Sequence, residues 1–409
     1  MRFAFTLAHR WLGLAIAAFL FVSGLTGAVI SWDRELDRVL NPHLVRATGV
    51  GQPLPATELV RRVEQRDPRG RVSFFPLFVE PGDALPMSVL PRVDPATGQA
   101  YELDYNQVFV DPVTGEEVGR RAWGAAWPIT TETFVSFLYE LHYTLHMPEM
   151  WGIDDWGVWL MGVVAIVWTV DCFVGFYLTL PARRAGRASS SWRQWWLRWK
   201  PAWKIKTSGS FYRVNFDIHR ASGLWTWALL FILAFTGFSL NLYKEVFYPL
   251  MSLVSQVTPT PFDLRERVDR NHPIEPRLNF DDMLALARVE GERRQWPPVA
   301  GIFYSPSFGV YTVQFSDSTA ERTGTGLPPP RLFFDGQDGR ALGERVPWKG
   351  TAADIFVQAQ FPLHSGRILG LPGRILVSVM GLVVAALSVT GVVIWYRKRR
   401  ARLAVRLGV

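Results

Sequence analysis

The sequence predicts an integral membrane α-helical bundle of four transmembrane helices in two pseudo-symmetric halves, with two small α+β modules outside the membrane. Four apolar stretches, each long enough to cross a bilayer, predict the helices. Two long segments between them alternate apolar and polar residues, which predicts the modules. The pattern His-Arg-x-x-Gly-Leu occurs at His9 and again at His219, which indicates that the second half repeats the first.

The first span is predicted over residues 11–32, which are 22 consecutive positions without a charged side chain. A helix of this length rises about 33 Å and crosses a hydrocarbon core about 30 Å thick. The stretch is too long for the apolar part of a signal peptide, and no Ala-x-Ala cleavage site follows it. We therefore expect it to remain in the protein as a span.

Three further spans are predicted, over residues 156–180, 221–243 and 375–396. Basic residues indicate their orientation, because Lys and Arg collect on the cytoplasmic side of a membrane. Two arginines precede the first span, nine basic and no acidic residues lie within 182–213, and six basic residues follow from Arg397. We expect a multi-pass membrane protein with both termini in the cytoplasm.

Charge and composition exclude several function classes. The net charge of +8 reflects topology, since residues 33–155 contain 11 basic and 19 acidic side chains, which argues against a nucleic-acid surface. The single cysteine, Cys172, excludes an internal disulfide, covalent haem attachment through Cys-x-x-Cys-His, and thiolate-bound zinc or iron–sulfur centres. Glycine-rich nucleotide-binding motifs are missing from the sequence, so we expect no bound nicotinamide, flavin or nucleoside triphosphate.

The two outer segments show the same order of elements. The first predicts a helix over 55–65, capped by Thr57, and then strands over 71–80, 86–93, 99–105 and 107–110. The second predicts a helix over 279–289, capped by Asn279, and strands over 301–304 and 309–315. Asp-Pro-Val-Thr-Gly at 111–115 predicts a turn, and residues 331–343 parallel residues 107–119.

These elements divide the chain into eight consecutive parts: the first span (1–32), the first outer module (33–133), a pre-span helix with the second span (134–181), a basic Trp-rich cytoplasmic loop (182–213), the third span (214–243), the second outer module (244–351), a pre-span helix with the fourth span (352–397) and a basic tail (398–409). Because each half crosses the membrane an even number of times, the copies share one orientation about a pseudo-twofold axis along the membrane normal. Equivalent side chains then face each other across the bundle.

Five of the seven histidines lie at the ends of predicted spans: His9 and His219 at the cytoplasmic end, and His142, His146 and His364 at the outer end. Ionisable side chains near the hydrocarbon layer are costly, and a ligand role offsets that cost. Neutral imidazole binds haem iron axially, and bundles build such sites from facing helices. The topology predicts two stacked b-type haems; the alternative is that each histidine is an interfacial anchor or a helix cap.

Topology pairs His9 with His219, and His364 with either His146 or His142. The repeat Leu-His-x-x-x-x-x-Gly aligns His146 with His364. Helix geometry permits either histidine, because His142 lies one turn before His146 on the same face.

Other residues in or next to the spans have more than one interpretation each. Arg10 and Arg220 follow the inner histidines and either pair with haem propionates or serve as positive-inside residues. Asp171 carries protons, hydrogen-bonds a ligand, or makes a polar contact inside the bundle. A group of glycines gives room for a flat macrocycle or permits close helix packing: Gly13, Gly24, Gly27, Gly162, Gly175, Gly223, Gly237, Gly381 and Gly391.

The cytoplasmic loop contains a basic, aromatic stretch over residues 191–206, with five tryptophans and five Lys or Arg side chains. Between two spans on the positive side, this composition predicts a helix that lies in the membrane interface. A docking surface for an electron donor is the alternative.

Several motifs together resemble the PepSY-associated transmembrane family. They are HRWLGL and SGLTG in the first span, VFVDPVTGEEVG, LHYTLH before the second span, HRASGL at the third, and PLHSGRILGLPGR and TGVVIWYRKRR near the C-terminus. More narrowly, the chain is similar to the inner-membrane, iron-regulated branch that interacts with siderophores and includes ferric-siderophore reductases. The resemblance runs nearly from end to end.

This resemblance implies two b-type haems in the bundle and two PepSY-like periplasmic modules. It implies axial ligands at His9, His219, His364 and one of His142 or His146; the form Leu-His-Tyr-Thr-Leu favours His142. The implied activity is electron transfer from quinol or a cytoplasmic reductase through the haems to an Fe(III)-siderophore in the periplasm.

Two alternatives to the reductase are a non-redox PepSY-type binding or assembly protein and a siderophore transporter. The transporter is disfavoured because the sequence predicts no broken, charged span and contains no ATPase motif. The partners expected for the reductase are a ferric siderophore, an electron donor and membrane lipid, without nucleic acid. Surface aromatics that either contact substrate or form an interfacial belt are Trp123, Trp127, Tyr139 and Trp151.

Overall fold

The computed structural model describes residues 1–182, 191–317 and 329–407, which form two compact units. The helical unit comprises Met1–Trp32, Leu138–Leu250 and Gln360–Val409. The sheet unit comprises Asp33–Phe137 and Met251–Ala359. Part of the predicted basic loop, residues 183–190, lies outside the described residues, as do residues 318–328 and the last two residues of the predicted tail.

The elements of the first half, in chain order, are α1 (Arg2–Ile30), α2 (Asp33–Leu40), α3 (Pro42–Val45), α4 (Ala56–Arg66), β1 (Gly70–Pro76), β2 (Leu85–Pro91), β3 (Gln107–Val110), β4 (Glu117–Arg121), α5 (Thr131–Tyr143) and α6 (Trp156–Thr179). The second half contains α7 (Trp192–Trp199), α8 (Phe211–Trp225), α9 (Trp227–Asn241), α10 (Tyr248–Val254), α11 (Pro261–Leu264), α12 (Phe280–Arg294), β5 (Val299–Ser305), β6 (Val310–Phe315), β7 (Arg331–Asp335), β8 (Ala341–Arg345), α13 (Ala352–His364) and α14 (Leu371–Leu407). Short 3₁₀ or π turns occupy Lys200–Trp203, Tyr243–Phe247 and Arg367–Leu369.

Three helices of the described chain are long and apolar enough to cross a membrane: α1, α6 and α14. The third predicted span is bent, because α8 and α9 meet at 71°, and it is a fourth crossing only if the pair counts as one span. At the bend, the Thr226 hydroxyl donates to the carbonyl of Ser222, and the Ser222 hydroxyl donates to that of Ile218. Such hydrogen bonds back to the preceding turn bend helices.

A close helix contact in the helical unit joins α1 to α14 at two glycines. A Cβ atom added to Gly24 would lie 2.6 Å from the carbonyl oxygen of Gly381, and one added to Gly381 would lie 2.4 Å from that of Gly24. The helices therefore touch backbone to backbone, as small residues permit in membrane bundles. For these two glycines the structure supports close helix packing.

The strands of both outer segments form one eight-stranded antiparallel sheet, in the order β4-β3-β2-β1-β5-β6-β7-β8. Each segment supplies four consecutive strands, and the halves meet where β1 pairs with β5, with Phe74 opposite Phe303 and Phe75 opposite Ile302. Joining the edges pairs backbone groups that two separate modules would leave exposed. The two predicted modules thus share one sheet.

The core of the sheet unit lies under α4 and α12. Side chains from both halves belong to it, including the buried Phe75, Ile302, Tyr311 and Phe334. The predicted cap of α12 is confirmed, because Asn279 accepts from the N–H of Asp282 and Asp282 accepts in return. Helix α4 begins one residue before Thr57, which is buried inside it.

The strand predicted over residues 99–105 is wrong, since only an isolated bridge between Val93 and Ala100 forms there. The chain turns just before this stretch, where the Asp94 carboxylate accepts from the N–H of Ala96. The fourth strand is instead β4, which is short and polar and therefore gives a weak strand pattern.

The turn predicted at residues 111–115 is confirmed between β3 and β4, with Gly115 at φ 74°. Asp111 accepts hydrogen bonds from the backbone N–H groups of Thr48, Gly49, Val113 and Thr114. Burial raises the pKa of Asp111, but these hydrogen bonds lower it more, so the net pKa lies below its usual value. The second half has the equivalent turn after Asp335, with Gly339 at φ 73°.

We expect Asp111→Ala to destabilise the sheet unit by about 3 kcal/mol, because it removes the buried carboxylate that accepts from four partly buried backbone N–H groups. Asp94→Ala, which removes one such acceptor from a more exposed turn, should cost less than about 1 kcal/mol. Because the folded-state pKa of Asp111 is lowered, its contribution is present above about pH 4 and is lost as the pH falls toward that lowered value. Thermal unfolding of the full chain in detergent at several pH values measures both effects; equal losses in the two variants would contradict the assignment.

Candidate functional site

Four histidines form two pairs in the helical unit. His9 on α1 faces His219 on α8, with ring centroids 6.2 Å apart. His142 near the end of α5 faces His364, the last residue of α13, with centroids 6.0 Å apart. The rings of the two pairs are tilted by 55° and 57°. Two pseudo-symmetric pairs of this kind match the predicted pairing.

One nitrogen of each ring is held by a neighbouring helix. Nδ1 of His9 lies 2.9 Å from both carboxylate oxygens of Asp171. Nδ1 of the other rings contacts a threonine hydroxyl: Thr26 at 3.1 Å from His142, Thr390 at 2.9 Å from His219 and Thr236 at 2.9 Å from His364. In the described chain no residue hydrogen-bonds Nε2 of these four rings, so Nε2 is the nitrogen left to bind a ligand.

Each ring also packs against a glycine of a neighbouring helix. A Cβ atom added at the glycine would lie close to Cε1 of the ring: 2.9 Å at Gly27 with His142, 3.2 Å at Gly391 with His219, 3.4 Å at Gly175 with His9 and 3.6 Å at Gly237 with His364. Three of these glycines directly follow the threonine that holds the ring. The Thr-Gly dipeptide thus positions an imidazole and makes room for it.

The geometry fits two imidazoles that bind one metal ion from opposite sides. With a metal–nitrogen bond of about 2 Å, the ring centres of such a pair lie about 6 Å apart. One turn after His9, a Cβ added at Gly13 would meet nothing within 4 Å, and at Gly223, one turn after His219, only Leu387 at 3.8 Å. These residues therefore fit a haem iron with two axial histidines and leave space beside it for the macrocycle.

The structure places His142 and not His146 beside His364. His146 follows the end of α5 in a turn, with φ of 51°, and its backbone N–H donates to Thr144. The Leu-His sequence occurs twice before α6, and the second copy falls in this turn. Alignment of the repeats through the following glycine misses this because the connection to the next span is longer in the first half.

The two remaining histidines lie in the sheet unit. His43 contacts Glu132 at 2.7 Å through Nε2. His272 is largely exposed, 3.9 Å from Asp269. Neither is part of a histidine pair.

The two predicted arginines differ in their surroundings. Arg220 donates to Asp217 at 2.7 Å and to the carbonyl of Pro201 at 2.9 Å, so its guanidinium has protein partners. Arg10 is partly exposed, and its side chain has no ion-pair partner in the described part of the chain. Of the two, Arg10 is the one available to an anionic group.

The aromatic residues named as surface candidates are dispersed along the chain. Trp127 and Trp151 are highly exposed, and Tyr139 packs edge-on against Tyr143. The backbone N–H of Trp123 donates to Asn106. In the basic loop, α7 begins at a Ser191 cap, and Trp192 stacks on Trp195.

A family model described as PepSY-associated TM region matches residues 6–398 of the sequence. The chain belongs to the PepSY-associated TM family. Both histidine pairs lie within the matched residues, so the pairs belong to the part of the chain that defines membership. A search of curated proteins finds no match.

In this PepSY-associated TM protein, the described residues contain no cluster of three or more His, Cys, Asp or Glu side chains arranged to hold a metal ion. A haem iron needs only two protein ligands, because the porphyrin supplies the other four. Two histidines at each pair would therefore suffice to hold a haem.

Two glycine variants test whether the close approach at His142 matters. Gly27→Ala places a methyl group 2.9 Å from the His142 ring, which must move, whereas Gly237→Ala meets the His364 ring at an ordinary 3.6 Å. If haem is bound at both pairs, we expect the first to lower haem content from two per chain toward one and the second to leave it unchanged. Haem quantification against protein concentration measures this. Equal haem content in the two variants would show that the close contact between Gly27 and the His142 ring does not limit haem binding.

Proposed function

We propose that the protein is a di-haem b electron-transfer protein of the bacterial inner membrane that reduces Fe(III)-siderophores in the periplasm and so releases iron. The observation that carries the haem assignment is the pair of 6 Å histidine contacts, each with Nδ1 occupied and Nε2 left free. Haem bound there supplies one-electron Fe(III)/Fe(II) chemistry.

The protein's own residues fix the two sites. Thr26, Thr236 and Thr390 set the orientation of three rings, and Asp171 sets the fourth. Such contacts from the second nitrogen select the tautomer in which Nε2 carries the lone pair. The imidazoles are therefore oriented for axial binding before a ligand arrives.

The two pairs lie toward opposite ends of α1. His9 belongs to one pair, and Thr26 holds a ring of the other. Seventeen residues of helix correspond to a rise of about 26 Å. This is most of a hydrocarbon core about 30 Å thick, so the two sites together support electron transfer across the bilayer.

Apolar side chains fill the bundle beside the sites. A buried cluster contains Cys172, Leu230, Ala234, Met380 and Val384. Such packing excludes water from the path between the sites and keeps each metal site in a low-dielectric setting.

The substrate class rests on the motifs that resemble the iron-regulated branch of the family. Reduction is suited to iron release, since the hard oxygen donors of a siderophore prefer Fe(III), while Fe(II) is held weakly and exchanges. Each Fe(III) reduced consumes one electron, which quinol or a cytoplasmic reductase supplies. In this proposal the basic loop and tail face the cytoplasm, and the sheet unit lies in the periplasm.

The test is anaerobic mixing of dithionite-reduced, desalted protein with ferrioxamine in the presence of a chromogenic Fe(II) chelator. For each haem that is reoxidised, we expect one Fe(II) ion to be bound by the chelator. His364→Ala, which lacks one ligand of the His142–His364 site, should release iron much more slowly. If ferricyanide reoxidises the protein but ferrioxamine does not, the electron acceptor is a different one.

Two other functions remain alternatives in the proposal. The 71° bend between α8 and α9 favours a siderophore transporter more than the sequence did, because interrupted helices form transport sites. A non-redox binding or assembly role would use the sheet unit alone. Both alternatives predict a protein without haem, and this separates them from the reductase.

A further inference from the structure

The surroundings of the His9 ring differ from those of the other three rings at one position, which is occupied by Asp171. At each of the other three rings, the glycine against the ring follows a threonine: Thr26-Gly27, Thr236-Gly237 and Thr390-Gly391. At the His9 site the residue before Gly175 is Val174, which has no hydroxyl to offer. The carboxylate of Asp171, one turn earlier on α6, takes over the contact with Nδ1.

The positions match through the repeat. Asp171 lies four residues before Gly175, as Ser23 lies four before Gly27. At that position in the His142 site, the backbone carbonyl of Ser23 accepts from Nδ1 at 3.0 Å. The Nδ1 atom of His142 thus contacts two uncharged groups, a threonine hydroxyl and a backbone carbonyl. The Nδ1 atom of His9 contacts the carboxylate of Asp171 instead.

Burial makes this carboxylate effective. Asp171 is 7% exposed, and its only ion-pair partner among the described residues is His9. Among the described residues no Lys or Arg forms an ion pair with Asp171, and Arg2, at the start of α1, instead donates to the carbonyls of Leu178 and Leu180. The charge of Asp171 is thus directed at the imidazole of His9.

We infer that Asp171 is a positioning residue that gives the His9–His219 site a lower reduction potential than the His142–His364 site. This inference rests on the proposed di-haem function. A carboxylate that accepts from Nδ1–H makes the imidazole a stronger electron donor to the metal. Stronger donation stabilises Fe(III) relative to Fe(II), which lowers the potential.

The consequence is a direction for electron flow. With haem held by both pairs, an electron on the His9–His219 site would move to the site of higher potential, which is formed by His142 and His364. In the proposed orientation this direction runs from the cytoplasm to the periplasm. The transfer would oxidise one Fe(II) and reduce one Fe(III), and the electron donor would restore the first site.

Single-site variants test the order of potentials without changing Asp171. Potentiometric titration of His364→Ala reports the His9–His219 haem alone, and titration of His219→Ala reports the His142–His364 haem alone. We expect the first to have the lower midpoint potential, and both to match the two steps of the wild-type titration. Equal potentials or the reverse order would overturn the inference.

Asp171→Asn then tests the cause, because asparagine keeps the size and one acceptor but removes the charge. We expect the lower potential to rise and the higher one to stay. The double variant Asp171→Ala/Val174→Thr rebuilds the hydroxyl contact of the other sites and should bring the two potentials together. Thr236→Val is the matched control, which changes the other site only.

The outcomes separate the two proposals. If Asp171→Asn retains two haems with both potentials unchanged, the inference fails and the di-haem function stands. If the wild-type protein binds no haem, the proposed function itself fails. Should Asp171→Asn not fold, the single-histidine titrations still decide the order.

Discussion

His364→Ala is expected to bind one haem per chain, and under the proposed function the wild type is expected to bind two. The substitution removes one of the two imidazoles that lie 6.0 Å apart at this site, and a remaining single ligand holds b-type haem weakly because no covalent bond attaches it. The other pair, about 26 Å away along α1, keeps both of its ligands. Haem per chain and the reduced visible spectrum of detergent-purified protein measure the loss.

The histidines of the first half supply matched variants. His142→Ala should lose the same haem as His364→Ala, and the double variant should lose no more than either single variant. His146→Ala should retain both haems, because His146 lies in a turn outside the pair. If His146→Ala lost a haem and His142→Ala kept both, this result would contradict the geometry of the His142–His364 site.

Gly24→Leu is expected to prevent assembly of the bundle. The new Cβ would lie 2.6 Å from the carbonyl oxygen of Gly381 and 3.1 Å from the backbone nitrogen of Ala385. Backbone atoms cannot rotate away as a side chain does, so α1 and α14 must separate along their contact. We expect a destabilisation larger than the ~1–3 kcal/mol typical of overpacked cores. Size-exclusion profile and thermal unfolding in detergent are the measurements.

Gly13→Leu is the control on the same helix, because a Cβ there meets nothing within 4 Å. We expect this variant to fold as the wild type does. If the space beside Gly13 receives the macrocycle, the variant also loses the haem of the His9–His219 pair while keeping the other. A fully loaded Gly13→Leu would show that the macrocycle lies elsewhere, and a well-folded Gly24→Leu would contradict the glycine contact.

Much of the helical unit follows from hydropathy alone. Stretches without charge require helices that satisfy their own backbone, which is why α1, α6 and α14 are predictable within a few residues at their apolar ends. Their extensions into polar sequence, such as residues 2–10, are set by contacts instead. The bend at Thr226 was missed because a serine and a threonine in an apolar run change hydropathy very little.

The sheet was predictable in parts. Alternation and turn residues predicted strand β3, the turn after Asp111 and the capped helix α12. The pairing of β1 with β5 joins two edge strands that lie more than 200 residues apart in the chain. The residue pattern of neither strand indicates which strand pairs with it. A short polar strand such as β4 exists because β3 pairs with it, so local sequence does not show it.

The histidine pairs were predictable because the repeat imposes symmetry on residues that hydropathy places at span ends. The choice between His142 and His146 was not, because it depends on where α5 stops and the chain turns. The partners of Nδ1 depend on the rotation of each helix. The repeated Thr-Gly was the visible signal for three of them, while Asp171 stood out only as a charge in an apolar span.

The haem content of the wild-type protein, purified in detergent from haem-replete cells, decides whether the histidine pairs are haem sites. We expect about two haems per chain, with the sharp α band of six-coordinate b-type haem on reduction with dithionite. A colourless protein that is folded and monodisperse would contradict it. The paired histidines would then be structural contacts, and a binding or transport role would replace electron transfer.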